Sequence, residues 1–395
     1  MNGLLGWSPI PLSYFIYNLD APQLRNDNGR RRLMMILPHE LVIQILLRLP
    51  VKSLIRFKCV CKLWFSLISH DSHFANSHFQ LTATEPNCRI LHISNSTQSI
   101  DVEASLDSGI SLNLDWIFPE YFTVNFPVKG SCRGFILFCG SLNIYVWNPT
   151  TGVHKRIPLS PFGSDLEAEY FYGFGYDDST EDYLVVSMHH YNAPPLHLDY
   201  NAPPLHLEYY SLKANTWKQV EGPHFPYILY ILEGQFKPGS LYKGAIHWLA
   251  YHCDLRCHVI VAFDLKERKL SCMHLPPGMF HCLWVYGEFL SVCALNEIDD
   301  ILEIWVMKEY KVNSSWTKTI VLIVDSISSP NQDFLPLCCT KSGDIIGLDE
   351  DNGLVKYDKY GEFLEQHSYY NYRHICDVTT YVDSLLSLPG DGDNE

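Results

Sequence analysis

The densest group of chemistry-bearing side chains in the 395-residue sequence is "HCDLRCH", with His252, Cys253, Cys257 and His258 inside seven positions. Imidazole and thiolate are ligands for zinc, but zinc sites usually set two ligands on one knuckle and two more at a distance. Four donors in one short turn make an awkward tetrahedron, and cysteine in a strand–turn–strand serves as a small apolar filler. A structural role is therefore expected here. His189 and His190, with His197 and His206 in a duplicated nonapeptide, read as loop histidines. Asp299–Asp300 and Asp349–Glu350–Asp351 fall among turn residues, where acidic side chains cap backbone N–H groups. No glycine-rich phosphate cradle, G-x-S-x-G elbow or H-E-x-x-H occurs, and "GFGYDD" lacks the spacing and context of a nucleotide loop. The sequence names no cofactor, no metal and no catalytic residue, so the expected role is binding rather than catalysis.

The elements that could bind begin with "LPHELVIQILLRLPVKSLIRFKCVCKLWFSLI", residues 37 to 68. Pro38 suits a first helical turn and Glu40 favours a helix N-terminus. The first helix is expected to run to about Leu49, where Pro50 stops it. Leu41 and Ile45 share a face, Val42, Leu46 and Leu49 form an adjacent stripe, and Ile43 and Leu47 carry apolar character further round. A second helical pattern covers Leu54, Phe57, Cys61, Trp64 and Ile68, and "DSHFANSHF" reads as a short helix capped by Asp71. A surface helix needs one apolar stripe. More than one marks a partner surface, unless the segment packs wholly on its own chain.

Charge sharpens that reading. The net formal charge is −15, yet residues 37–70 stand at +4, with Arg48, Lys52, Arg56, Lys58 and Lys62 against Glu40. Residues 1–36 stand at +2, which leaves −21 for residues 71–395. So acidic a body argues against nucleic acid and anionic membranes as partners. The basic segment suits an acidic protein partner. Thirteen scattered cysteines, no secretory leader and no long apolar run point to a reduced intracellular protein, cytoplasmic or nuclear, without a membrane span. Residues 1–33 read as a variable or disordered leader, and 389–395 as an acidic tail.

From residue 88 the chain turns to short β-runs bounded by Gly, Asn, Asp and Pro. "GFILFCGSLNIYVWNPTTGVHKRIP" holds strand, turn, strand, polar turn, strand, and the same grammar returns four times around Tyr209, Phe263, Trp305 and Tyr357. These anchors, with Trp147, lie 42 to 62 residues apart, the period of a four-stranded propeller blade. A β-sandwich also has many short strands, but not this recurring Gly–strand–aromatic–Asp/Asn unit. "CRILHISNSTQSIDVEAS" and "HICDVTTYVDSLLSL" are expected to join as a sixth blade, sealing the ring with strands from both ends. The tandem copies "YNAPPLHLD" (191–199) and "YNAPPLHLE" (200–208) read as a lengthened loop in the second blade. The fold class expected is α+β in two parts: an all-α helical domain over 34–80, then an all-β six-bladed propeller over 86–388.

The opening segment closely resembles an F-box, through Leu-Pro, an apolar helix, Leu-Pro-Val-Lys-Ser-Leu, and Arg-Phe-Lys-Cys-Val-Cys-Lys-x-Trp. The region from "GSCRGFILF" onward looks like the F-box-associated, kelch-like domain of a large plant family that includes S-locus F-box proteins. The glycine pairs of true kelch repeats are largely missing, so that likeness is architectural. The resemblance implies a substrate-recognition subunit of a Skp–cullin–F-box ubiquitin ligase, its F-box on a Skp-type adaptor and through it a cullin-RING ligase. The propeller would bind an unidentified target protein for ubiquitylation and degradation. By the family pattern, Leu37, Pro38, Leu41, Ile45, Leu46, Leu49, Pro50, Val51, Leu54, Ile55, Phe57, Val60 and Trp64 form the adaptor interface and the small core behind it. The alternatives are a scaffold or inhibitor that binds the adaptor without promoting turnover, and a propeller that binds a small ligand.

Overall fold

A computed structural model describes residues 37–389, except 84–87, 94–96, 113–126, 141–142, 163–169, 191–204, 221–224, 230–237, 279, 297–300, 324–333, 350–352 and 369–376. The chain divides into two compact units, one ending at Leu81 and the other starting at Thr82. The leader 1–33, most of the nonapeptide duplication and residues 390–395 of the tail lie outside the described residues.

The first unit is helical: α1 (His39–Leu46), α2 (Val51–Phe57), α3 (Lys62–His70) and α4 (Ser72–Thr82). Pro38, with ψ 142°, stands one position before α1, and the turns beyond Leu46 reach Leu49 before Pro50 opens α2. The single second helix expected from Leu54 to Ile68 is instead two. Cys61 is fully extended (φ −160°, ψ 165°), which breaks the helix and resets its phase before Lys62. Asp71 caps α4 as expected, its Oδ1 accepting the Phe74 N–H at 2.8 Å. His78 on α4 hydrogen-bonds the Leu49 carbonyl at 2.8 Å, tying α4 to the turn after α1.

The second unit is six antiparallel sheets. Blade 1 is Val128–Cys132, Phe135–Cys139, Ile144–Trp147 and His154–Ile157, and blade 2 is Tyr170–Asp177, Asp182–His190, Leu205–Ser211 and Thr216–Gln219. Blade 3 joins Ala245–His252, Cys257–Asp264 and Lys269–His274 to an interrupted inner strand, Tyr227–Leu229 and Ser240–Tyr242. Blade 4 is Cys282–Tyr286, Phe289–Asn296, Ile301–Met307 and Trp316–Ile323, and blade 5 is Leu335–Cys339, Ile345–Leu348, Leu354–Tyr357 and Phe363–His367. Blade 6 takes its inner strand, Asp377–Val382, from the C-terminal side and its other three, Cys88–Ile93, Thr97–Asp101 and Ile110–Leu112, from the N-terminal side. The expected seal is present, and the expected blade count is six.

The seal is apolar on both faces. Along Cys88–Ile93, Ile90 packs with Cys338, Ile346 and Leu354 of blade 5, while Leu91 and Ile93 pack with Val128, Ile136 and Phe138 of blade 1. Beyond Val382 the chain runs on as a strap over blade 1. Asn148 Nδ2 donates to the carbonyls of Ser384 (3.1 Å) and Leu386 (3.3 Å), and Leu385, Leu386 and Leu388 are buried. Gly134, at φ +87°, is required here, because a Cβ would collide with the Ser384 side chain.

The aromatic–Asp/Asn unit is a turn cap. Asn148 Oδ1 accepts the N–H groups of Thr150 and Thr151, Asp264 Oδ1 those of Lys266 and Glu267, and Asp358 Oδ1 those of Tyr360 and Glu362. Trp147, Phe263 and Tyr357 each precede such a cap. Tyr209 and Trp305 do not: the matching strand ends are Tyr210–Ser211 and Met307. Histidines 189, 190 and 206, expected in loops, lie in the strands Asp182–His190 and Leu205–Ser211, and His197 lies outside the described residues.

Asp177 of blade 2 ties the ring to blade 3. Burial opposes its charge, but bonds from Ser179, Thr180 and the Arg268 guanidinium (2.8 Å) outweigh that and hold its pKa at about 2. A depressed carboxylate adds stability above its ordinary pKa and loses it as pH falls toward 2. Arg268→Met should therefore cost about 2 kcal/mol near pH 7, and its deficit against the wild type should shrink as pH falls from 4 to 2, read by urea unfolding. A second check on the strap is Asn148→Ala, which removes two buried carbonyl bonds and a turn cap. It should lower stability by about 2 kcal/mol in the same assay.

Candidate interaction surfaces

In the helical unit, the family-pattern residues separate by exposure. Leu46, Val51 and Leu54 are buried, together with Leu47, Ile68 and Phe74. Leu49, Ile55, Phe57, Val60 and Trp64 are half-buried, and the Phe57 and Trp64 rings lie 5.5 Å apart. Leu37, Pro38, Leu41, Ile45 and Pro50 face solvent. Leu41 and Ile45 are each half exposed and one turn apart on α1, and Leu37, 44% exposed, continues their line. Reading the residues missed Leu63 and Phe65 of α3, which are also exposed. They escaped because the pattern was carried through Cys61 as one helix, so their phase was assigned from the wrong origin.

The same unit exposes cations. Arg48, Lys52, Arg56 and Lys62 are exposed, and Arg48 is steadied by the Gln44 carbonyl at 2.6 Å. Lys58 is half-buried, which lowers its pKa. The arrangement can bury aliphatic surface against a partner while meeting carboxylates at its edge.

In the propeller, antiparallel pairing sends all links between second and third strands, and from each blade to the next, to one end of the ring. Most of the nonapeptide duplication and the segment at Asp299 lie outside the described residues. The described part there shows Asp349 as a cap, with Oδ1 accepting the Gly353 N–H at 2.6 Å.

The "HCDLRCH" stretch forms a hairpin at the same end. Cys257 sits opposite His252 and His258 opposite Tyr251. His252 Nδ1 accepts the Leu255 N–H at 3.3 Å, and the His258 ring meets Tyr251 edge-on at 5.4 Å. Among the described residues no three His, Cys, Asp or Glu side chains are grouped to hold a metal. No helix there is long and apolar enough to cross a membrane.

With both surfaces in place, comparison with known families is decisive. Residues 80–388 match the F-box associated beta propeller domain, and residues 34–80 match the F-box-like domain. The chain belongs to the F-box associated beta propeller family. Its relatives include an F-box/kelch-repeat protein of Arabidopsis thaliana, 27% identical, covering 82% of this chain and 87% of the relative. F-box protein CPR1 of the same plant is 28% identical over 73% of each chain. A putative F-box/kelch-repeat protein, also from Arabidopsis thaliana, is 28% identical over 90% of this chain and 99% of its own. An F-box followed by this propeller is the domain pair of the F-box adaptor proteins, which are in general not catalytic.

The exposure pattern separates contact from core. Leu41→Asp with Ile45→Asp should leave helices 39–82 as protected in hydrogen exchange as in the wild type. Leu54→Asp, which puts a charge at a fully buried site, should destabilise them by about 3 kcal/mol or more.

Proposed function

We propose that this F-box protein is the substrate-recognition subunit of a Skp–cullin–F-box ubiquitin ligase. The observation that carries the reading is the set of apolar side chains the F-box leaves exposed, Leu37, Leu41 and Ile45 at α1 and Leu63 and Phe65 on α3, while Leu46, Val51 and Leu54 are buried. Full burial of a Leu or Ile contributes about 1.5–3 kcal/mol. Leu37, Leu41 and Ile45 still have about half of that burial to gain, and Leu63 and Phe65 on α3 add to the apolar surface a partner could cover against the cost of association. Arg48, Lys52, Arg56 and Lys62 would raise the on-rate toward an acidic adaptor and make it salt-dependent.

The chain itself performs no bond chemistry in this reading. The propeller holds a target protein, the F-box holds the adaptor, and the target's lysines are kept at high effective concentration near a ubiquitin carrier borne by the cullin-RING assembly. Isopeptide formation belongs to the other subunits.

Co-expression with a Skp-type adaptor tests the first half. The wild type should co-purify as a stoichiometric complex, and Leu41→Asp, Ile45→Asp should abolish it while the propeller's thermal transition is unchanged. A folded wild type that ignores the adaptor would sink the reading. Ubiquitylation of a co-purified protein in the reconstituted ligase then separates this role from a scaffold that binds the adaptor without promoting turnover.

A further inference from the structure

The strap that follows Val382 is held unlike the strands of the ring. Residues 383–389 join no ladder, and among the described residues no backbone–backbone hydrogen bond ties them to blade 1. Blade 1 grips them with side chains instead. Asn148, itself fully buried, donates through Nδ2 to the carbonyls of Ser384 at 3.1 Å and Leu386 at 3.3 Å. Thr150 Oγ1 donates to the Asp383 carboxylate at 3.1 Å, and Lys155 Nζ to the Pro389 carbonyl at 3.2 Å. An amide that spends both of its N–H donors on main-chain carbonyls holds a backbone, whatever side chains that backbone carries.

The choice of side chains comes from the strap's own pattern. Leu385, Leu386 and Leu388 are 6%, 4% and 3% exposed, whereas Ser387 among them faces solvent. Ser384 is fixed twice. Its Oγ accepts the Leu386 N–H at 3.0 Å, and its Cβ lies 2.2 Å from where a Cβ at Gly134 would stand, so only glycine leaves it room. Carbonyls gripped by fixed donors, with apolar side chains buried at set spacings, is how folded domains hold short peptides. The main-chain bonds supply affinity and the buried side chains supply selectivity. The seal itself ends at Val382, opposite Cys88, so the strap can leave blade 1 without opening the ring's ladder.

We propose that this face of blade 1 is a peptide-binding site for a Ser-Leu-Leu-x-Leu segment, occupied in cis by residues 384–388, and that it takes the same segment from another chain when the strap leaves. The strap is then an internal competitor, held by its short tether at an effective concentration on the order of 1 mM. A rival segment must outcompete it or meet a strap already displaced. The inference does not depend on the adaptor role given above.

The test uses the full chain and a fluorescent peptide of residues 383–389, DSLLSLP, read by anisotropy. In the variant Leu386→Asp, Leu388→Asp the strap should leave blade 1. That variant should bind the peptide about tenfold or more tightly than the wild type, whose site is filled. Adding Asn148→Ala should weaken its binding about tenfold, through the loss of two carbonyl bonds. A control peptide with alanine in place of Leu386 and Leu388 should not bind. An opened variant that keeps cooperative unfolding yet binds no peptide overturns the inference, and so does equal binding by variant and wild type. Binding that survives Asn148→Ala unchanged also overturns it, because the peptide then lies elsewhere. Leu388→Ala, a milder opening, serves if the double variant folds poorly. It should bind the peptide about threefold more tightly than the wild type. Equal affinity there overturns the inference, by showing that the strap is a fixed part of the core.

Discussion

Everything in the propeller depends on the pairing of Cys88–Ile93 with Asp377–Val382, whose register runs from Cys88 opposite Val382 to Ile93 opposite Asp377. A four-stranded blade has two apolar faces and cannot bury either alone, so the six blades are stable only as a closed ring. Closure brings strands from the two ends of a domain of some three hundred residues into one ladder, at a loop-closure cost that grows only slowly with length. What offsets it is burial on both faces at once: Ile90 toward blade 5, Leu91 and Ile93 toward blade 1. Tyr381 adds a polar lock. Its hydroxyl bonds Ser99 Oγ at 2.7 Å, and Ser99 in turn accepts from Arg89 at 2.7 Å.

The strap from Asp383 to Pro389 extends the same logic. The inner strand alone would end blade 6 at an exposed edge turn. Instead the chain crosses to blade 1, where Asn148 serves both as turn cap and as donor to two strap carbonyls, and Lys155 reaches the Pro389 carbonyl at 3.2 Å. One asparagine therefore couples a repeat-level feature, the capped turn, to a ring-level one, the seal. The helical unit has no such closure. Its own core takes in Leu46, Val51 and Leu54, and Leu41, Ile45, Leu63 and Phe65 remain over, which is why it reads as half of an interface.

Much of this was legible in the residues, for physical reasons that can be named. The blade period showed because these capped turns set an Asx side chain directly after an aromatic residue at the strand end. Trp147–Asn148, Phe263–Asp264 and Tyr357–Asp358 display that pair openly. Trp305 misled because a bulge beside Ile304 shifts the ladder, and the strand runs on to Met307. Tyr209 misled because two tyrosines stand in a row and only Tyr210 ends the core stripe; its ring packs on Trp217 at 5.3 Å. The break at Cys61 was hidden because apolar residues at helical spacing continue across it, and only the backbone angles separate α2 from α3. On the F-box, types and spacing gave the apolar set, but which members face out depends on how α1, α2 and α3 meet. The interrupted inner strand of blade 3 was hidden for the same reason, since its two pieces are set by partners on Ala245–His252.

The buried polar run of blades 6, 1 and 2 belongs to the class that sequence reading does not reach. Lys129, Glu208 and Asp377 are far apart along the chain, and each looks alone like an ordinary surface residue. Only ring closure brings Asp377 beside Lys129, and only cross-strand register sets Glu208 in line with Ser187 and Tyr172. Burying such groups is costly, and here it is offset in part by apolar neighbours in the same seam, Leu91, Ile93 and Phe138, and by the Ser160 hydroxyl on Glu208 Oε2 at 2.5 Å.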